Sequence, residues 1–157
     1  MPRSRDEGSL LPAPLFLLLL ACFVVALQAK IYERCELAKR LSAHGLDGYE
    51  DYSLANWVCL AFFESGFDTE AVAQNEDGTR DFGIFQINST WCADEAIDSD
   101  NLCDVDCKEL LTPDIENDIR CVRRIVKHPQ GMAIWDEWKT HCEHLQNLEE
   151  WVKQCQL

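Results

Sequence analysis

Two carboxyl groups, Glu64 and Asp81, bracket a short segment and stand in unlike surroundings. Glu64 closes an apolar run and is followed at once by Ser65-Gly66. Asp81 follows the turn-forming pair Asp77-Gly78 and opens a run of alternating residues that reaches Asn88. Cleavage of a glycosidic bond needs such a pair, one carboxyl kept protonated to donate and one ionised to stabilise or attack. A carboxyl at a helix C-terminus faces the negative end of the dipole, and Phe63 and Phe67 offer it little solvation, so both effects favour the protonated acid at Glu64. Asp81, among polar neighbours, suits the ionised role. A lone Glu at a helix end or a lone Asp beside a turn is more often a solvated surface acid. The pairing across one turn is what points to chemistry.

The flanking pattern supplies elements to hold both groups. Cys35, Leu37, Ala38 and Leu41 fit a short amphipathic helix from Arg34, stopped by Gly45. Ser53 suits the N-cap of the next helix, whose stripe is Leu54, Trp57, Val58, Ala61 and Phe62, with Glu64 in its last turn. Asp77-Gly78 predicts a hairpin. The return, Asp81 to Asn88, reads as one strand, with Phe82, Ile84, Gln86 and Asn88 on one face and Asp81, Gly83, Phe85 and Ile87 on the other. Residues 89–106 lack periodicity and read as loop. Thr112-Pro113-Asp114 predicts a helix start ahead of Ile115, Ile119, Val122, Ile125 and Val126, ended by Pro129 and Gly131. Met132, Trp135 and Trp138 suggest a short helix, and Leu148, Trp151 and Val152 a last turn. Helices with one small hairpin region give an α+β class.

The chain has 157 residues, enough for one domain with a real core. Its first 29 residues read as a secretory signal peptide: Arg3 and Arg5, an apolar run Leu15–Leu27, then Gln28-Ala29 before Lys30. That run is short for a membrane span, which needs about 20 apolar residues. Cys22 lies inside it, leaving Cys35, Cys59, Cys92, Cys103, Cys107, Cys121, Cys142 and Cys155. Eight cysteines behind a signal peptide read as four disulfides in a secreted domain, although spacing alone cannot choose among the pairings. Zinc at Cys103 and Cys107 lacks a second close pair or paired histidines. The net charge is −14, from 14 Lys+Arg against 28 Asp+Glu, and residues 94–118 hold ten acids and one base, Lys108. Such a field disfavours nucleic acid, anionic membranes and polyanionic substrates. Arg120, Arg123, Arg124 and Lys127 recur at helical spacing and read as a solvated helix face.

Several segments, Lys30-Ile-Tyr-Glu-Arg-Cys-Glu-Leu-Ala38, Gly45-Leu-Asp-Gly-Tyr49, Tyr52-Ser-Leu-Ala-Asn-Trp-Val-Cys59, Phe63-Glu-Ser-Gly-Phe67, Asp81-Phe-Gly-Ile-Phe-Gln-Ile-Asn-Ser89 and Gly131-Met-Ala-Ile-Trp135, together resemble the C-type lysozymes and α-lactalbumins over residues 30–157. The resemblance implies a helical lobe and a small β lobe flanking a cleft. It also implies the disulfides Cys35–Cys155, Cys59–Cys142, Cys92–Cys107 and Cys103–Cys121. Lysozymes are themselves the type case of two-carboxylate chemistry, so the roles are carried over: Glu64 matches the general acid and Asp81 the nucleophile or stabiliser. Asn75, Gln86, Asn88, Trp91 and Trp135 fall where the family contacts sugar or supports the acid. Both carboxyl groups are retained, unlike in the lactalbumins.

Four departures accompany the likeness. Asn88-Ser-Thr-Trp-Cys92 is one residue short, leaving Trp91 where the family usually has two adjacent aromatics, and His128 replaces an acid used by some relatives for a distant sugar. Lactalbumins bind calcium before the residue matching Cys121; here Asp114 and Asp118 remain, but Thr112 and Asn117 stand in for carboxylates, so no metal or other cofactor is expected. Bacteriolytic lysozymes are typically basic, whereas the acidity here, together with Gly45-Leu-Asp-Gly-Tyr49 and Cys59-Leu-Ala-Phe-Phe-Glu-Ser-Gly-Phe67, resembles the lysozyme-like proteins of sperm and testis. The leading expectation is a secreted, monomeric retaining glycosidase acting on β-1,4-linked N-acetylated aminosugar polymers. The alternative is a lysozyme-like glycan-binding or adhesion protein in sperm–egg interaction, located in the acrosome, with residues 94–118 as a surface for a protein partner; a lactalbumin-like modulator ranks third.

Overall fold

Leu54–Ser65 carries the apolar stripe that the rest of the molecule packs on. The computed structural model describes residues 29–157, so the expected signal peptide lies outside the described residues apart from Ala29. In chain order come α1 (Arg34–Ala43), α2 (Leu54–Ser65), β1 (Val72–Gln74), β2 (Arg80–Phe82), β3 (Ile87–Asn88), α3 (Glu116–Ile125) and α4 (Asp136–His141). Short 3-10 helices form at Cys107–Leu111, Gly131–Ile134 and Leu148–Trp151. Among the described residues no helix is long and apolar enough to cross a membrane.

Helix α2 is packed by α1, α4 and the Leu148–Trp151 turn, and buries Leu54, Ala55, Trp57, Val58, Cys59, Leu60 and Ala61. Trp57 is wholly enclosed, a position where truncation to Ala costs about 3–5 kcal/mol. Ser53 occupies the N-cap, but its hydroxyl makes no capping bond; Asp47 Oδ1 accepts from the Leu54 N–H at 3.0 Å instead. The helix stops where Gly66 takes the left-handed conformation (φ 62°), returning its N–H to Phe62 O at 2.8 Å. Glu64 is thereby fixed in the final turn, facing the sheet.

The β lobe is an antiparallel three-stranded sheet in the order β1-β2-β3. Asp77-Gly78 forms the first hairpin as expected, with Gly78 at φ 88° and Asn75 N–H donating to Thr79 O at 2.9 Å. The single strand expected over residues 81–88 does not form. Residues 83–86 turn, and β3 folds back so that Asp81 pairs with Asn88 and Phe82 with Ile87. Gly83 at φ 75° starts this turn; a Cβ there would stand 2.2 Å from Leu110 O and 2.8 Å from Asp118 Oδ1. Asp81 and Asn88 are therefore cross-strand partners, not residues on opposite faces of one strand.

The predicted start at Thr112-Pro113-Asp114 also moves: α3 begins at Glu116, whose N–H donates to Asp114 Oδ1 at 3.2 Å. The helix expected around Met132 to Trp138 is broken at Trp135, where extended backbone separates the Gly131–Ile134 turn from α4. Residues 89–106 form a loop held by Cys92–Cys107 and Cys103–Cys121, while Cys35–Cys155 and Cys59–Cys142 close the helical lobe. This is the pairing implied by the resemblance. Of the basic residues expected on a solvated helix face, Arg120, Arg124 and Lys127 are exposed, while Arg123 is half-buried, donating to His44 O at 2.9 Å and lying 4.0 Å over the Tyr49 ring; Arg124 also donates to Leu102 O at 2.8 Å.

Candidate active site

Two hydrogen bonds pin the lobes together. Ser65 Oγ donates to Ile84 O at 2.7 Å, and Trp135 Nε1 donates to Phe85 O at 2.9 Å. Both bonds hold the β2–β3 turn against the helical lobe, which leaves a cavity of about 540 Å³ lined by Glu64 on one side and Asp81 on the other. Asn75, Gln86, Asn88, Trp91 and Trp135 also line it, so every residue expected to carry chemistry or sugar contact reaches one space.

Glu64 is half-buried, and its carboxyl is pushed up to about 8. Desolvation contributes most, followed by the negative charges of Glu137, Asp81 and Asp136. Phe63 and Phe67, the rings expected to limit its solvation, do not line the cavity and join an aromatic cluster. Phe63 stacks on His141 at 4.2 Å, and Phe67 packs on Phe62, which itself meets Trp151.

Asp81 is held by amides. Its Oδ1 accepts from Asn88 Nδ2 at 2.9 Å and its Oδ2 from Asn75 Nδ2 at 3.0 Å. Both amides also donate to Thr79 Oγ1 at 3.0 Å, and that hydroxyl donates to Asp77 Oδ1 at 2.7 Å. This network suits a carboxylate anion, which only accepts, and it fixes both oxygens. Asn75 and Asn88 therefore support a carboxylate. Gln86 is nearly buried, at φ 48°, and its Nε2 donates to Ala71 O and Gly83 O at 2.9 Å, so its amide braces the turn. Trp91 is half-buried and meets His128 edge-on at 6.4 Å, which leaves part of the indole for the cavity.

Among the cavity residues not singled out from sequence are Asp136 and Glu137, where only the apolar spacing of residues 132–138 was read. Their signal was their place directly after Trp135 in the chain.

The residues matching the lactalbumin calcium loop do not fit a calcium ion. Asp114 Oδ1 accepts from Arg40 at 2.9 Å and Asn117 Oδ1 from Arg120 at 2.9 Å, while Thr112 donates to Asp114 O. Asp118 alone is withdrawn from water, with neither oxygen partnered, and burial pushes its carboxyl well up. Among the described residues no three His, Cys, Asp or Glu side chains gather as a metal-binding group. Calcium needs six to eight oxygens, several of them anionic.

The model of the C-type lysozyme/α-lactalbumin family matches residues 30–155. Sperm acrosome-associated protein 5 of Homo sapiens is 48% identical over 135 residues, 85% of this chain and 84% of that one. Lysozyme-like protein 2 of Homo sapiens is 46% identical over 142 residues, covering 90% and 95% of the two chains. Lysozyme C of Takifugu rubripes is 45% identical over 145 residues, covering 92% and 98%. A two-lobed fold around a cleft, four disulfides and likeness along nearly the whole described length agree, and the chain belongs to the C-type lysozyme/α-lactalbumin family.

Proposed function

We propose that the protein is a secreted glycosidase cleaving β-1,4 bonds in N-acetylated aminosugar polymers by a retaining mechanism. The observation that carries the reading is one cavity lined by a half-buried carboxyl pushed up to about 8, Glu64, and by a second fixed by two amide donors, Asp81. Glu64 donates its proton to the leaving oxygen. Asp81 meets the cationic sugar as nucleophile or stabiliser, and Glu64 then takes a proton from the attacking water. The two carboxyl groups supply the whole of this chemistry, without a cofactor. Trp91 gives a sugar one face to stack on, a contact of about 1 kcal/mol.

The second reading is glycan recognition without useful turnover, in gamete adhesion. It is favoured by the name of the human relative, sperm acrosome-associated protein 5, and by the shortened Asn88–Cys92 segment, which leaves Trp91 without an adjacent aromatic. An acrosomal location and a partner on the acidic loop belong to this reading. Eight of that loop's ten acids are exposed, while Asp94 is paired with Arg80 and Asp118 is enclosed.

The test is hydrolysis of soluble, fully acetylated chitin oligosaccharides by the disulfide-intact protein beside Glu64→Gln and Asp81→Asn. Turnover that disappears in both variants supports the glycosidase. Binding without turnover in the parent protein refutes it and favours recognition.

A further inference from the structure

Five carboxyl groups line the cavity, those of Glu64, Asp77, Asp81, Asp136 and Glu137, and no lysine, arginine or histidine does. Basic side chains stand outside the lining: Lys139 Nζ lies 2.6 Å from Asp136 Oδ1, and His141 Nε2 lies 3.2 Å from Glu137 Oε2. Both pairs are solvent-exposed and worth little, so a cationic ligand displaces them at small cost.

The amides that could have offered neutral donors to a ligand are already engaged. Asn75 and Asn88 donate to Asp81 and Thr79, and Gln86 donates to two backbone carbonyls. What remains facing the ligand is rich in acceptors and negative charge. A ligand must bring donors, and a positive charge is favoured where a carboxylate, which only accepts, is repelled. Acids at the start of α4 also suit its dipole, but that role is met on any face of the helix and does not require the cavity wall.

We propose that Asp136 and Glu137 are charge-selecting residues, so that the cleft prefers amine-bearing, partly N-deacetylated aminosugar chains to fully acetylated ones and rejects chains bearing carboxylates. The ligand class rests on the glycosidase reading above; the charge preference rests on the lining.

The experiment measures binding of three oligosaccharides of equal length at mildly acidic pH: fully acetylated, partly deacetylated, and muramic-acid-bearing. Each is titrated into Glu64→Gln and into Glu64→Gln carrying Asp136→Asn and Glu137→Gln. The amine-bearing chain binds roughly fivefold tighter than the acetylated one at low salt, the ratio shrinks as salt rises, and it collapses in the triple variant. Salt dependence in the single variant tests the idea even where the triple variant folds poorly. An equal affinity for all three chains, or a preference that survives removal of both carboxylates, overturns the proposal. Parallel cleavage assays with Glu64 intact separate the two claims. Cleavage without amine preference overturns charge selection and leaves the glycosidase, whereas amine preference without cleavage does the reverse.

Discussion

Replacing Glu64 by Gln should stabilise the protein, and the gain should depend on pH. The folded chain holds the Glu64 proton up to about pH 8, whereas the unfolded chain releases it near 4.5. Below pH 4.5 both states are protonated and the residue costs nothing. Between 4.5 and about 8 the unfolded state binds fewer protons, so stability falls as pH rises, and above 8 the loss is complete. At ~1.4 kcal/mol per factor of ten, the rise from 4.5 to about 8 sets a ceiling of about 5 kcal/mol. Because Glu64 is half-buried, screening by water brings the expectation to about 2–3 kcal/mol. Gln does not titrate. Urea unfolding of both proteins with disulfides intact, repeated from pH 4 to 9, reads the difference directly. The Gln variant should match its parent near pH 4 and lead by about 2–3 kcal/mol above pH 8. A difference that is constant with pH, or that closes as pH rises, would refute the assignment of Glu64 as a carboxyl kept neutral by burial and neighbouring charge.

Activity on an uncharged oligosaccharide should fall on the alkaline side around pH 8 as Glu64 loses its proton, and Glu137→Gln should move that limb to lower pH; an unmoved limb would show that Glu137 is not felt at Glu64. Asn75→Ala and Asn88→Ala should each lower kcat on the order of tenfold with a smaller change in KM, since each frees one oxygen of Asp81; a change confined to KM would assign them to sugar contact instead. Asp118→Asn should stabilise the protein at neutral more than at acid pH, because burial raises that carboxyl and the parent loses stability as pH climbs. Calcium at about a millimolar should leave the parent's urea midpoint unchanged, and a rise that Asp118→Asn abolishes would establish a metal site. Gly83→Ala should cost about 3 kcal/mol or more, read in the same unfolding assay, given φ 75° and a Cβ only 2.2 Å from Leu110 O.

The site was legible where local signals were strong. Gly66 as a helix stop placed Glu64 in the last turn of α2, and Asp77-Gly78 placed Asp81 on a returning strand. The β2–β3 turn was not, because Phe82, Ile84 and Gln86 alternate with other apolar residues as a strand does. What bends the chain is tertiary: Gly83 packs on the Leu110 carbonyl, and Gln86 spends its amide on Ala71 and Gly83. Gln86 and Asn88, expected to contact sugar or support the acid, do line the cavity, but that the first braces the turn and the second holds Asp81 could not be read, since a side-chain amide looks the same in sequence whichever partner it finds. Asp136 and Glu137 were invisible for a related reason, since two acids opening a short helix are ordinary surface residues until the cavity is built beside them.

Placed in the fold, the charge of −14 is not one acidic surface. Asp94 is neutralised against Arg80, Asp118 is enclosed, the exposed acids of the 94–118 loop face solvent, and a separate group surrounds Glu64. Only the last bears on chemistry, and it acts in two directions through the same field. Negative neighbours keep the Glu64 proton in place toward alkaline pH, and they repel any glycan bearing carboxylates. Substituting Asp136 and Glu137 should therefore move both properties together: the alkaline limb falls while tolerance of anionic chains rises. If the two moved independently, the acidity of the cleft and the protonation of Glu64 would have separate causes.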